Sequence, residues 1–276
     1  MIRVSDIMTP RVVVINPNDT LSRARNLMLR YNISRLIVID EFRKPVGILT
    51  ETDVALKIWE ESFEREARPI NEILVREVMS KSVVCIKPKQ PITSAAKVML
   101  EKRISGLPVV DEEGCLIGII TKTDLTRAYA QHFPGAFRVR DLMSSPVITV
   151  HPMHTVYRVG KLMKEHGISR VIVVDNKTPI GIVTKTDLSF IEPLRKPRKI
   201  KYASRIVRLL RIPLVMDVMT PNPITVDLDE DLADAAKIMV NNGISGLPVV
   251  NNEGELEGIV TKTDVVKAIS MIKMTK

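Results

Sequence analysis

The chain is 276 residues long, 45% hydrophobic and 26% charged, with 41 Lys and Arg against 32 Asp and Glu for a net charge of +9. That balance describes a globular chain, and its apolar runs of about five residues fall well short of the ~20 that a membrane helix needs, so no membrane is expected. Most of the positive excess lies between Phe190 and Pro213, where Arg195, Lys196, Arg198, Lys199, Lys201, Arg205, Arg208 and Arg211 face the single acid Glu192, and the near-neutral remainder excludes a generally nucleic-acid-coating surface.

The opening Met1–Asp6 has no apolar signal region, and the two cysteines, Cys85 and Cys115, lie far apart with no Cys-x-x-Cys pattern. A cytoplasmic protein without disulfide or metal is therefore expected.

One pattern is written four times. A Met followed by Thr or Ser (Met8, Met79, Met143, Met219) precedes an Ile-Ser dipeptide (Ile33-Ser34, Ile104-Ser105, Ile168-Ser169, Ile244-Ser245). A string G-I-[IVL]-T-[KE]-T-D then closes the pattern at Gly47–Asp53, Gly118–Asp124, Gly181–Asp187 and Gly258–Asp264. A fixed internal period marks one supersecondary unit used repeatedly, each copy too small to bury a core alone. The repeats are placed at residues 1–62, 72–131, 136–192 and 214–276, with a basic linker at 193–213.

Within each unit, a β-branched run comes first: Val12–Ile15, Val83–Ile86, Val147–Val150 and Ile224–Val226. These read as strands. A turn follows, then a stripe at helical spacing: Leu21, Ala24, Leu27, Met28; Ile92, Ala95, Val98, Met99; Val156, Val159, Leu162, Met163; and Leu232, Ala235, Ile238, Met239. Two apolar runs around a polar turn come next, Arg35–Ile39 with Val46–Leu49 and Leu107–Val110 with Leu116–Ile120, which reads as a hairpin. Thr-x-Thr-Asp then opens a last helix, such as Asp53–Glu60 or Asp264–Ile272. The unit is β-α-β-β-α, and the fold class is α/β (α+β), with small mixed sheets flanked by helices.

The Thr-x-Thr-Asp string admits two readings. A helix N-terminus has free N–H groups and a favourable dipole for phosphate, and the Asp can accept from ribose hydroxyls. The same spacing also resembles a capping box, which needs no ligand. After the Ile-Ser dipeptide the residue alternates: Arg35 and Arg170 in copies one and three, Gly106 and Gly246 in copies two and four. A forked phosphate contact and an exposed solubilising arginine both fit those two positions. The alternation itself is what two tandem pairs with unlike halves would show.

Across nearly its whole length the chain resembles the cystathionine β-synthase (CBS) domain, as four copies forming two tandem pairs, or Bateman modules. A four-copy chain is similar to the γ regulatory subunit of AMP-activated protein kinase and its archaeal relatives. The resemblance implies a flat disc of two modules with AMP, ADP or ATP held in clefts between paired repeats, and no cofactor required. It implies ribose and phosphate contacts at Thr50 and Asp53, Thr121 and Asp124, Thr184 and Asp187, and Thr261 and Asp264. Phosphate would meet Arg35 and Arg170, and the adenine would lie against Val13, Val84, Ile148 and Ile224. Ser34 and Ser169 stand where γ-like subunits often carry a histidine. Two good sites are expected where Arg35 and Arg170 point, and two weaker or empty ones elsewhere.

His151 and His154 lie in a Pro-containing turn without further ligands and read as turn residues. No nucleophile elbow, Walker or Rossmann motif occurs, so no catalytic residue is assigned. The expected function is a non-enzymatic, energy-sensing regulator that signals nucleotide occupancy to an unknown protein partner. Alternatives are an S-adenosylmethionine sensor, or a nucleic-acid-binding regulator using Arg195–Arg211, where Ala203–Arg211 has the pattern of a basic amphipathic helix. The modules either close within one chain or pair as a homodimer.

Overall fold

The computed structural model describes residues 2–61, 68–190 and 213–272. The basic linker therefore falls outside the described residues, as does the amphipathic pattern within it. Each repeat has the expected order. In the first, Val14–Ile15 pairs in parallel with Arg35–Ile39, which pairs antiparallel with Pro45–Thr50, while the helices Leu21–Tyr31 and Glu51–Glu61 flank the sheet. The helical stripe is core as anticipated: Leu21 and Ala24 are fully buried, as are Ile92, Ala95 and Met99 in the second copy.

The first strands are shorter than the β-branched runs. They contract to Val14–Ile15, Thr149–Val150 and Val226–Asp227, and in the second repeat only the bridge Ile86–Val109 remains. The cause is how each repeat begins. The residues before each short strand leave their own sheet and join that of the partner repeat. Thr9 N–H donates to Ile119 O and Ile119 N–H to Thr9 O (2.9 and 3.0 Å), and Ser80 makes the same pair of bonds with Ile48 (2.9 and 3.0 Å). Ser144 pairs likewise with Ile259, and Thr220–Pro221 pairs with Gly181–Ile182.

A short helical turn not foreseen from the sequence seats each exchange. Val4–Ile7, Val75–Val78 and Val139–Leu142 are α-helical and Val215–Asp217 is 3₁₀. Each docks on the strand-to-helix turn of its partner, as in Val75 N–H to Asp19 O and Val215 N–H to His154 O (2.9 and 2.8 Å). The first Met of each pattern then packs against the Gly of the partner's closing string: Met8 on Gly118, Met79 on Gly47, Met143 on Gly258 and Met219 on Gly181. A Cβ on Gly118 would stand 2.8 Å from the Met8 sulfur, so the glycine is a packing requirement. Repeats 1 and 2 thus form one module by reciprocal exchange, and repeats 3 and 4 the other.

The modules meet side by side. Helices Ile92–Glu101 and Lys122–His132 of repeat 2 pack on Leu232–Asn241 and Lys262–Met271 of repeat 4. Ala95, Ala96, Ala235 and Ala236 are fully buried in the core that these repeats share, their small side chains allowing close approach. On the other side Glu51–Glu61 of repeat 1 meets Lys185–Phe190 of repeat 3. Cys85 is exposed and Cys115 half-buried, both as free thiols. Among the described residues, no helix is long and apolar enough to cross a membrane, and no group of three or more metal-type ligands occurs.

Candidate functional site

All four Thr-x-Thr-Asp strings sit where a hairpin strand runs straight into a helix. Thr50, Thr121, Thr184 and Thr261 are the last strand residues, and the helices start one residue later. The Ile-Ser dipeptide fixes this junction. The carbonyls of Ser34, Ser105, Ser169 and Ser245 accept the first helical N–H, from Glu51, Lys122, Lys185 and Lys262 (2.9–3.2 Å).

The capping geometry is realised in every copy. One carboxylate oxygen of Asp53, Asp124, Asp187 and Asp264 accepts from both the backbone N–H and the hydroxyl of its Thr, at 2.6–2.8 Å. Only Oδ2 is consumed by the cap. Oδ1 of Asp124 accepts from Arg127 Nη1 at 3.3 Å. The cap thus orients each Asp through Oδ2 and leaves Oδ1 outside the cap, so the capping and binding readings are compatible.

Strand register gathers the other residues at the same end of each sheet. Arg35 pairs with Thr50, Gly106 with Thr121, Arg170 with Thr184 and Gly246 with Thr261. Val13 and Ile148 immediately precede the paired residues Val14 and Thr149, and Val84 and Ile224 lie two residues before the paired Ile86 and Val226. Val13, Val84 and Ile148 are half-buried and Ile224 is exposed.

The Arg/Gly alternation has a steric cause. Arg35 crosses from repeat 1 over Gly106 of repeat 2, where an added Cβ would lie 2.6 Å from its Nη1. Arg170 crosses in the same way over Gly246 of repeat 4 and donates from Nη2 to Ser245 Oγ at 2.8 Å. Each arginine therefore needs a glycine in the partner repeat. Burial lowers the pKa of both guanidiniums, opposed by Asp124 and then Glu51 for Arg35 and by Asp264 for Arg170. Burial likewise raises the Asp264 carboxyl, against its bonds from Thr261.

Two lysines were missed in the sequence. Lys122 and Lys262, the variable residue of Thr-x-Thr-Asp, stand at the facing N-termini of the helices that join repeats 2 and 4. Burial depresses the pKa of both. The signal was available: three of the four strings carry Lys there, and the first carries Glu51. Arg35, Arg170, Lys122 and Lys262 thus form a cationic strip between Asp124 and Asp264, reinforced by two helix N-termini.

A profile of the CBS domain matches residues 4–60, 75–131, 139–191 and 215–271. The chain belongs to the CBS-domain family, with four repeats forming two Bateman modules. It is 30% identical over 268 residues to the uncharacterized protein MJ1225 of Methanocaldococcus jannaschii, covering 93% of this chain and 95% of that one. It is also 30% identical to MJ1404 of the same organism over 98% of its length, spanning 62% of that longer protein. The crystal structure of MJ1225, described as a proposed archaeal homolog of g-AMPK, superposes with a TM-score of 0.78 at 28% identity, covering 96% of this chain and 99% of that one. An uncharacterized conserved protein of Pyrococcus horikoshii shares the fold, with a TM-score of 0.69 at 23% identity, covering 97% of this chain and 100% of that one.

Proposed function

We propose that this protein is a non-enzymatic sensor that binds AMP, with ADP and ATP competing, at two sites centred on Asp124 and Asp264, and signals occupancy to a protein partner. The observation carrying this reading is the state of Arg35 and Arg170. Both arginines are half-buried, each guanidinium lying over a glycine, and among the described residues neither forms an ion pair. A partly desolvated cation with no carboxylate in ion-pair contact gains from a ligand phosphate that makes one. The carboxylate oxygen that each cap leaves over, held in Asp124 by Arg127, accepts ribose hydroxyls, while the apolar residues before the first strand flank the base.

The strings at Thr50–Asp53 and Thr184–Asp187 have no arginine directed over them from the partner repeat, which offers glycine instead. The first also carries Glu51, which disfavours phosphate. A cationic adenosyl ligand such as S-adenosylmethionine fits that string better, and this is the second reading for it.

The test is isothermal titration calorimetry of nucleotide-stripped protein with AMP, ADP, ATP and S-adenosylmethionine, beside Asp124→Asn and Asp264→Asn, which keep a capping acceptor. Two AMP sites in the parent and one in each variant are expected. No heat with any of the nucleotides sinks the reading.

A further inference from the structure

The two Asp-centred sites lie in different modules, yet their lysines are exchanged. Lys122, of the repeat 2 string, donates from Nζ to Thr263 Oγ1 of the repeat 4 string at 2.8 Å. Lys262, of the repeat 4 string, donates back to Thr123 Oγ1 at 3.1 Å. The carboxylates follow the same crossing. Burial depresses Lys122, Asp264 opposes it, and Arg35 and Arg170 depress it further. Lys262 is depressed by burial and by Arg170 and Arg127, and Asp124 opposes them. Two separate, reciprocal hydrogen bonds therefore place each lysine against the string of the other module.

We propose that Lys122 is a phosphate ligand of the Asp264 site and Lys262 a phosphate ligand of the Asp124 site, so that every bound nucleotide is gripped by both modules at once. The proposal deepens the nucleotide-sensing reading and rests on it. The chemistry is direct. An ammonium whose partner is a neutral threonine hydroxyl gains by exchanging it for a phosphate oxygen, since a charge-assisted bond is roughly twice as strong as a neutral one. Lys122 and Arg170 then approach the same phosphate from opposite modules, with the N-terminus of helix Lys262–Met271 beneath it.

Regulation follows from the crossing. A ligand held by one module alone binds every arrangement of the pair equally and shifts none of them. A ligand whose phosphate needs a lysine from the neighbour prefers the arrangement that delivers it. Adenosine, with no phosphate to reach that lysine, should have no such preference. Phosphate is thus the part of the ligand that reports, and the interface between repeats 2 and 4 is the element that moves.

The experiment uses the full chain with one site silenced at a time. Lys122→Met, which keeps the length of the apolar stem, is combined with Asp124→Asn to read the Asp264 site alone, and with Asp264→Asn to read the Asp124 site alone. AMP is titrated calorimetrically into each. The expected result is a loss of about tenfold or more at the Asp264 site, consistent with one charge-assisted contact, and a change within about twofold at the Asp124 site. Lys262→Met should show the mirror image, and Lys122→Arg should restore most of the lost affinity. Loss at the Asp124 site on changing Lys122 overturns the crossing. Equal loss at both sites, with a lowered melting temperature, makes the lysines interface struts and also overturns it. Failure of the nucleotide reading is distinct: the single Asp→Asn variants would then bind no AMP before any lysine is changed.

Discussion

Replacing Gly106 with Ala places a methyl group where the Arg35 guanidinium now lies. The new Cβ would stand 2.6 Å from Arg35 Nη1, while its other neighbours, Ile120 O and Thr121 Cγ2, are at 3.4 and 3.5 Å. Ordinary contact needs about 3.5 Å, so the guanidinium must retreat by about an ångström. It sits at the end of a flexible side chain and is free to do so, and Ala for Gly in a strand slightly favours folding through the unfolded chain. Stability should therefore change by less than about 1 kcal/mol, whereas AMP affinity at the Asp124 site should fall by about 1.5–3 kcal/mol, the worth of a charge-assisted contact. That is about 10- to 150-fold. The assay is AMP calorimetry in the Asp264→Asn background, with denaturant unfolding alongside. Arg35→Ala should cost a similar amount, and the double variant no more than either single one. Additive losses, or unchanged affinity in Gly106→Ala, would refute the idea that this glycine exists to admit the arginine.

Gly118→Ala should behave differently, because its Cβ meets Thr9 O at 3.0 Å as well as the Met8 sulfur, and Thr9 is pinned by two bonds to Ile119; a loss of about 1–3 kcal/mol in denaturant unfolding is expected. Tyr129 is fully buried with a hydroxyl that has no partner among the described residues, so Tyr129→Phe should leave thermal stability unchanged or raised, and a clear drop would reveal a partner for that hydroxyl. The turn of repeat 3 is held by imidazole acceptors: His151 Nδ1 accepts from Met153 N–H and His154 Nδ1 from His151 N–H, where repeat 1 uses Asn16 and Asp19. Burial lowers the His154 pKa, helped by Arg158 and His151, so the unfolded chain binds the proton more readily. The stabilisation is then complete above the ordinary histidine value of about 6.5 and lost as pH falls through the lower folded value. His151→Asn with His154→Asp should flatten the melting temperature between about pH 5 and 7, and an unchanged slope would clear the histidines of this role.

The fold was legible because the period is strict and the stripes are clean. Leu21, Ala24 and Met28 and their counterparts line the core as read. The short first strands were not legible, since β-branching in Val83–Ile86 reports only that a segment is extended, and its partner is chosen by exchange between repeats. For the same reason the Met and Gly of the repeated pattern looked like two marks on one unit, although each Met packs on the Gly of the neighbouring unit. At the site, the Thr and Asp positions could be found from spacing. What each Asp does beyond the cap could not, because the cap uses only one oxygen of each carboxylate. The alternation of Arg and Gly was visible as two lists, and only three dimensions show that Arg35 needs Gly106 and Arg170 needs Gly246. Lys122 and Lys262 escaped notice because their partners, Thr263 and Thr123, lie in the other module.

The most direct measurement is the crystal structure of the protein grown with AMP. Density for AMP is predicted at two sites, with the ribose on Asp124 and Asp264 and the phosphates within hydrogen-bonding distance of Arg35 and Arg170. Nucleotide seated only at Asp53 and Asp187, or phosphates turned away from both arginines, would contradict the account.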